Sequence, residues 1–241
     1  MPPLKQTLVA LSTTLITGAA CAGALLGRDL DGNLANGYEA YYDTTLNISW
    51  LADANYAQTS GYSATGNMVW ADAKAWAAQL DVNGVSGWRL PAMTPANQLC
   101  KHAWAYTNCS QNTDTSSSEM AYMFYVELGN LSHDDPISGW RPGASGVDWG
   151  IVNSGPFKNI GDSEYWSGSA YADPNYAGDA WYFSFYDGYQ SFVIPNYEYK
   201  AWAVHDGDVG SSAKVPEPAS LALVLTGLAT VGLARRRRKP A

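Results

Sequence analysis

The sequence predicts an α+β domain, with helices early and an antiparallel meander late. Three observations carry this. Val69, Ala73, Trp76, Ala77 and Leu80 recur at helical spacing, with Asp72 and Lys74 off that face. Residues 164–207 hold aromatic, strand-favouring runs interrupted by Asp187-Gly188, a short-hairpin signal. Aromatics make up 13% of the chain against 15% charged residues, a balance suited to strands packed on a core.

In chain order, "YEAYYDTT" and "LNISWLADANY" read as strands. The first helix is expected over Met68–Leu80, with Asn83-Gly84 ending it. The second is expected over Ser117–Leu128. Ser116 and Glu119 form a capping box, Met120, Phe124 and Leu128 the buried stripe, and Gly129-Asn130 the stop. A Met-aromatic stripe at this spacing is core rather than a cofactor site. The Gly/Pro/Asp-rich stretch "SHDDPISGWRPGASGVDWGIVNSGPF" reads as loop. The strands "EYWSGSAY", "AWYFSFYDG", "YQSFVIP" and "YKAWAVHDG" follow. "DANYA" and "DPNYA" echo each other but make no repeat.

Both ends read as addresses. Lys5 precedes an apolar run from Leu8 to about Ala20, and small residues then crowd together. Ala20-Cys21-Ala22 and Ala22-Gly23-Ala24 both satisfy the small-x-small rule, so cleavage by signal peptidase is expected after Ala22 or Ala24. Gly18 stands where a lipoprotein signal at Cys21 needs a bulky aliphatic residue. At the other end, Ala219–Ala234 is 16 residues without charge, short of the ~20 of an ordinary membrane helix. The bases at 235–239 hold the tail on the cytoplasmic side, which leaves the domain outside. The expected organisation is a signal peptide over 1–24, one domain over 25–210, a spacer over 211–215 and a sorting signal over 216–241.

Pro216-Glu217-Pro218, the short apolar helix and Arg235, Arg236, Arg237 and Arg238 together resemble a PEP-CTERM sorting signal. The resemblance implies recognition by an exosortase, an integral-membrane transpeptidase. It also implies transient residence in the inner membrane, removal of the tail and release or attachment at the cell surface. Proteins with such a tail accompany exopolysaccharide production.

Cys100 and Cys109 then remain as an exported pair nine positions apart, which reads as a local disulfide. The rival is a metal site of Cys100, His102 and Cys109, which lacks a fourth ligand. Setting aside Lys5, Glu217 and the five tail bases leaves 8 basic and 21 acidic residues, a net −13. Such a domain repels phosphate backbones, so a nucleic-acid partner is not expected.

"SGWRLP", "YWSGS" and "AWYFSFYDG…YKAWAVHDGDV", with "TTLNISWLADANYA" and "SEMAYMFYVELGN", resemble the secreted bacterial family named after the C-terminal domain of the collagen-like adhesin Lcl. The resemblance covers most of residues 38–209. It implies a C-type-lectin-like fold and glycan binding without a family-wide enzymatic activity. This chain departs from the pattern at His205 and at Ala92. On physical grounds Gly87, Trp88, Arg89, Leu90 and Pro91 make a structural corner: Trp88 and Leu90 buried, Gly87 at a tight turn, Arg89 pinning a carboxylate or loop carbonyls. Tyr165 and Trp166 read as core of the late sheet.

No nucleophile elbow and no His-Glu-x-x-His motif occurs, and "SHDDP" reads as a solvated turn, with a metal or acid/base cluster as the sharper alternative. No cofactor is expected. Asp29, Asp31 and Asn33 have the 1-3-5 spacing of a calcium loop, but Leu34 stands at position six and no Glu at twelve. Trp140, Trp149, Tyr176 and Tyr189, set among Asp, Asn and Gly, are the expected ligand surface for a neutral or metal-bridged polysaccharide. The alternatives are a structural matrix protein without a discrete ligand and a hydrolase using two carboxylates.

Overall fold

The computed structural model describes residues 23–93, 110–135 and 137–210. Cys21, Cys100, Cys109, the apolar span and the basic tail lie outside them, so the expected disulfide and sorting signal do too. Among the described residues, no helix is long and apolar enough to cross a membrane.

The described chain is mixed α+β. Its strands are β1 (Leu25–Arg28), β2 (Ala40–Asp43), β3 (Ile48–Leu51), β4 (Asn67–Met68), β5 (Trp88–Arg89), β6 (Asp134–Asp135), β7 (Gly139–Trp140), β8 (Glu164–Ala170), β9 (Ala180–Ser184), β10 (Gln190–Val193), β11 (Tyr199–Lys200) and β12 (Val204–Asp206). Its helices are α1 (Tyr56–Thr59), α2 (Trp70–Gln79) and α3 (Glu119–Tyr122), the last continuing into a π-helical turn over Met123–Glu127. One five-stranded sheet has the order β1-β2-β3-β12-β5, a second β10-β9-β8-β11-β4, and β6 pairs with β7 alone. Every pairing is antiparallel except β8 with β11.

The segment expected as one last strand, residues 199–207, is split between the sheets. β11 lies beside β8, and β12 enters the first sheet between β3 and β5. Trp202 is the reason. It is fully buried in the crossover, and its indole N–H donates to the Leu51 carbonyl at 2.7 Å. Its ring meets Trp50, Phe157 and Phe185 at 4.7, 4.8 and 5.9 Å between centroids. A straight strand would point Ala201 and Ala203 away from the side that Trp202 buries. Here all three are buried, so the chain must cross between layers.

α2 buries Ala73, Trp76 and Ala77 and exposes Asp72 and Lys74. It stops at Gln79, ahead of Asn83-Gly84. Those two residues, at φ 54° and 87°, instead form a tight turn between Val82 and Val85, whose main chains exchange bonds of 2.9 and 3.1 Å. Met120, Phe124 and Leu128 are buried. The cap differs from the expected box. Ser118 caps α3, its Oγ accepting from Ala121 N at 3.2 Å, while Ser116 donates to Asp114. Glu119 is drawn away from the cap because Arg89 and Ala92 N bond to it.

The β9–β10 hairpin has a four-residue loop, Phe185–Gly188, rather than the two-residue turn expected. Phe185 is fully buried against Phe124 and Tyr165 and bonds back to Ser163, which commits it to the interior. Gly188 closes the loop at φ 74°, and a Cβ there would lie 2.6 Å from the Tyr125 hydroxyl.

Candidate functional site

A cleft of about 350 Å³ opens beside the first sheet. Five sequence segments form it, the turn at Val82 and Asn83 among them. Tyr38 and Glu39 precede β2, and Ala52 and Asp53 follow β3. Tyr56 and Thr59 come from α1, and Lys158 and Asn159 from the strand-like segment before β8. Main-chain bonds fix its floor: Lys158 N donates to Ala52 O at 2.8 Å, and Ala54 N to Lys158 O at 2.9 Å. Asn159, at φ 55°, bends the chain so that its amide donates to Asp53 Oδ2 at 2.9 Å. The other Asp53 oxygen accepts from Asn55 N, and Lys158 Nζ reaches the Asn36 carbonyl at 3.2 Å. Glu39 accepts from Leu30 N at 2.8 Å. The wall therefore offers tyrosine rings and a set of amides and carboxylates already held in place.

The "SGWRLP" corner is closed on itself. Trp88 and Leu90 are buried, and Gly87 lies at φ 88°. All five N–H donors of Arg89 are occupied. Two go to Asp206, two to Glu119 and one to Leu90 O, at 2.6–3.0 Å. Burial works against the Arg89 charge, but the bonds and charges of Glu119 and Asp206 outweigh it and hold the guanidinium protonated. No donor remains for a ligand. The "YWSGS" segment docks on the same corner. Gly168 N and Ser167 Oγ both donate to Pro91 O, and Ser169 Oγ donates to Met93 O. A register shift between Trp166 and Ala170 makes the room. Tyr165 and Trp166 are fully buried, and the Trp166 indole donates to Met68 O.

The four aromatics singled out in the sequence do not form one surface: Trp140 and Trp149 meet across His133, and Tyr176 and Tyr189 lie at opposite ends of β9. Trp140 is open, at 74% exposure, on the β6–β7 hairpin. Trp149 is only 6% exposed. It packs against His133 at 4.5 Å and Tyr186 at 5.4 Å, which corrects its assignment to an open surface. Loop sequence around Trp149 suggested exposure, but Gly150 lets the main chain close on the Tyr186 carbonyl and shuts the ring in. Tyr176 is half-exposed in the β8–β9 connection, against Tyr171 and Phe192. Tyr189 is half-buried at the other end of β9. A five-residue strand separates the two ends by roughly 17 Å.

The "SHDDP" loop is a structural hairpin. Asp135 accepts from Ile137 N and Ser138 N and pairs with Arg141 at 2.6 Å. The Ser138 and Ile137 N–H groups hold its carboxyl below the usual range. His133 lies between Trp140 and Trp149. Near the N-terminus, Asp29, Asp31 and Glu39 bring carboxylate oxygens within 4.8 Å of one another. Each accepts from main chain: Asp29 from Gly32 N and Asn33 N and Asp31 from Asn33 N, within their own turn, and Glu39 from Leu30 N across from it. Asn33, the third residue of the incomplete calcium-loop spacing, accepts from Ala35 N. Glu39 was not foreseen because it falls at position eleven of that spacing.

Sequence reasoning missed the cleft. Its residues come from positions near 38, 53, 83 and 159, and no local motif links them. The one local signal was the Asn-Gly pair at 83–84 that shapes its rim.

Residues 214–239 match the PEP-CTERM protein-sorting motif. The motif marks an exported chain that is processed by an exosortase, with the membrane as a stage before surface display. No curated protein matches the chain, and no solved structure does.

Proposed function

We propose that the domain is a non-catalytic binding module for extracellular polysaccharide, carried to the cell surface by its sorting signal. The observation that carries this reading is the cleft between Tyr38 and Tyr56. It sets the Tyr38 and Tyr56 side chains beside Asn36, Asn83 and Asn159, the residue types a pyranose uses for ring contact and for its hydroxyls. The resemblance of residues 38–209 to the Lcl C-terminal family, and with it a C-type-lectin-like fold, supports the reading. So does the company that a PEP-CTERM tail keeps with exopolysaccharide. The ligand is a neutral glycan, because a net −13 domain repels sulfated and uronic polymers.

Asp53 and Glu39 both line the cleft, the arrangement a hydrolase would need. Each already accepts main-chain N–H groups, and Asp53 holds Asn159 as well, which suits positioning rather than proton transfer. The test is retention on the cognate exopolysaccharide, with Tyr38→Ala and Trp140→Ala beside the wild type. Loss in Tyr38→Ala alone places the ligand in the cleft. Loss in Trp140→Ala alone moves it to the β6–β7 hairpin. Retention of none of the three leaves the matrix-protein reading.

A further inference from the structure

The first described residues are part of the fold. Gly23 N donates to Glu127 Oε1 at 2.6 Å, and Ala24 N donates to Thr44 Oγ1 at 3.0 Å. Thr44 N in turn reaches Ala24 O, so the β1–β2 ladder continues past Leu25 toward Gly23. The approach is close. A Cβ on residue 23 would lie 2.3 Å from Thr45 Oγ1 and 2.9 Å from Glu127 Oε1, so a larger residue there would have to displace those side chains.

Glu127 ends the π-helical turn, half-buried, and none of the ion pairs among the described residues includes it. A second carboxylate acts on it. Asp43 is fully buried; its Oδ1 accepts from Thr45 N and Leu46 N, while its Oδ2 has no partner. Burial first, and then the Asp43 charge, raise the Glu127 carboxyl, with Gly23 N–H and Tyr122 opposing. This corner therefore holds two carboxylates close enough to repel, and the one donor reaching Glu127 from the first strand's end is the nitrogen of Gly23.

We propose that export processing cuts the Ala22–Gly23 bond and that the freed α-ammonium of Gly23 becomes the ion-pair partner of Glu127, a latch the uncut chain lacks. Two cleavage positions satisfy the small-x-small rule, and the fold discriminates between them. A cut after Ala24 would remove Gly23 and Ala24 with their bonds to Glu127 and Thr44. A cut after Ala22 keeps both. Hydrolysis by signal peptidase adds water across the amide: the hydroxyl goes to the Ala22 carbonyl carbon and a proton to the Gly23 nitrogen. The resulting amine takes up a further proton below its usual pKa of about 8. One neutral donor thus becomes three donors bearing a full positive charge, facing a carboxylate that burial and Asp43 leave short of a counter-charge. The amide's bond is charge-assisted on the carboxylate side only, whereas with the ammonium both partners carry charge and the contact becomes an ion pair. Leader removal then does more than free the domain from the membrane, because it supplies the cation that completes it.

The test has two parts. The full chain is expressed in an export-competent Gram-negative host and the mature protein's N-terminus is read by mass spectrometry. Gly23 is expected; Leu25, or a lipid-modified Cys21, overturns the proposal. Then the protein beginning at Gly23 is compared with one beginning at Ala22, where residue 23 carries an amide, each with Glu127 and with Glu127→Gln. The Gln variant is expected to lower Tm by about 2–6 °C when Gly23 is free and by less than half of that when Ala22 precedes it. Equal losses in the two backgrounds overturn the latch even if the terminus is Gly23.

Discussion

Two polar clusters flank the first sheet, and they differ in whether their polar groups are used up. At the corner, Arg89 spends every N–H on Asp206, Glu119 and Leu90 O, and Glu119 also holds Ala92 N. In the cleft, Asn159 and Asp53 hold each other, Lys158 Nζ reaches Asn36 O, and Tyr38 is 39% exposed. A saturated cluster holds the fold; a pre-positioned but open one is free to meet a ligand. The same residue types therefore carry opposite meanings, and the count of unused donors and acceptors distinguishes them.

Mutations sharpen this contrast. The largest stability effect belongs to the closed cluster. Arg89→Ala leaves Glu119 without its fork and should cost about 1–3 kcal/mol, the lower range allowing for partial solvent screening. Urea denaturation measures it, and polysaccharide affinity of the folded fraction should not move. In the open cluster Tyr38→Ala should weaken glycan binding about tenfold, roughly 1.4 kcal/mol, with less than 1 kcal/mol of stability lost. Isothermal titration beside a melt separates the two. A variant that loses stability and binding together would erase the distinction.

A smaller effect concerns pH. Burial raises the Asp43 carboxyl, partly offset by Leu46 and Thr45 N–H groups and the nearby Trp50 indole. A carboxyl with a raised folded pKa binds its proton more tightly when folded. Its contribution is complete below the unfolded value of about 4 and is lost as pH rises through the folded value. Stability should decline over that window, and Asp43→Asn should flatten the slope measured by chemical denaturation as pH rises above about 4. The smallest effect is Trp140→Ala, which should change stability by less than about 0.5 kcal/mol, as an exposed surface ring does.

Much of the frame was readable from local pattern. The period of Val69 to Leu80 gave α2, the Met120–Phe124–Leu128 stripe gave the buried face of the second helical segment, and the late aromatic runs gave β8, β9 and β10. Misjudgments arose where a distant partner decided. Arg89 drew Glu119 out of a capping box, Trp202 split the last strand between sheets, and Phe185 lengthened the hairpin loop. The site was less legible than the fold. Trp149 and Trp140 sit in similar Gly-rich sequence, yet one is enclosed by His133 and Tyr186 and the other is open. The cleft depends on Lys158 and Asn159 returning beside Asp53, a pairing across about a hundred residues that no local spacing encodes.

The most direct test of the account is affinity of the exported, processed protein for a neutral exopolysaccharide from its own cells, measured for wild type, Tyr38→Ala and Arg89→Ala at low and moderate salt. Wild type and folded Arg89→Ala should bind with little change in salt, and Tyr38→Ala should lose binding. Equal binding by wild type and Tyr38→Ala, or binding that requires an intact Arg89, would contradict it.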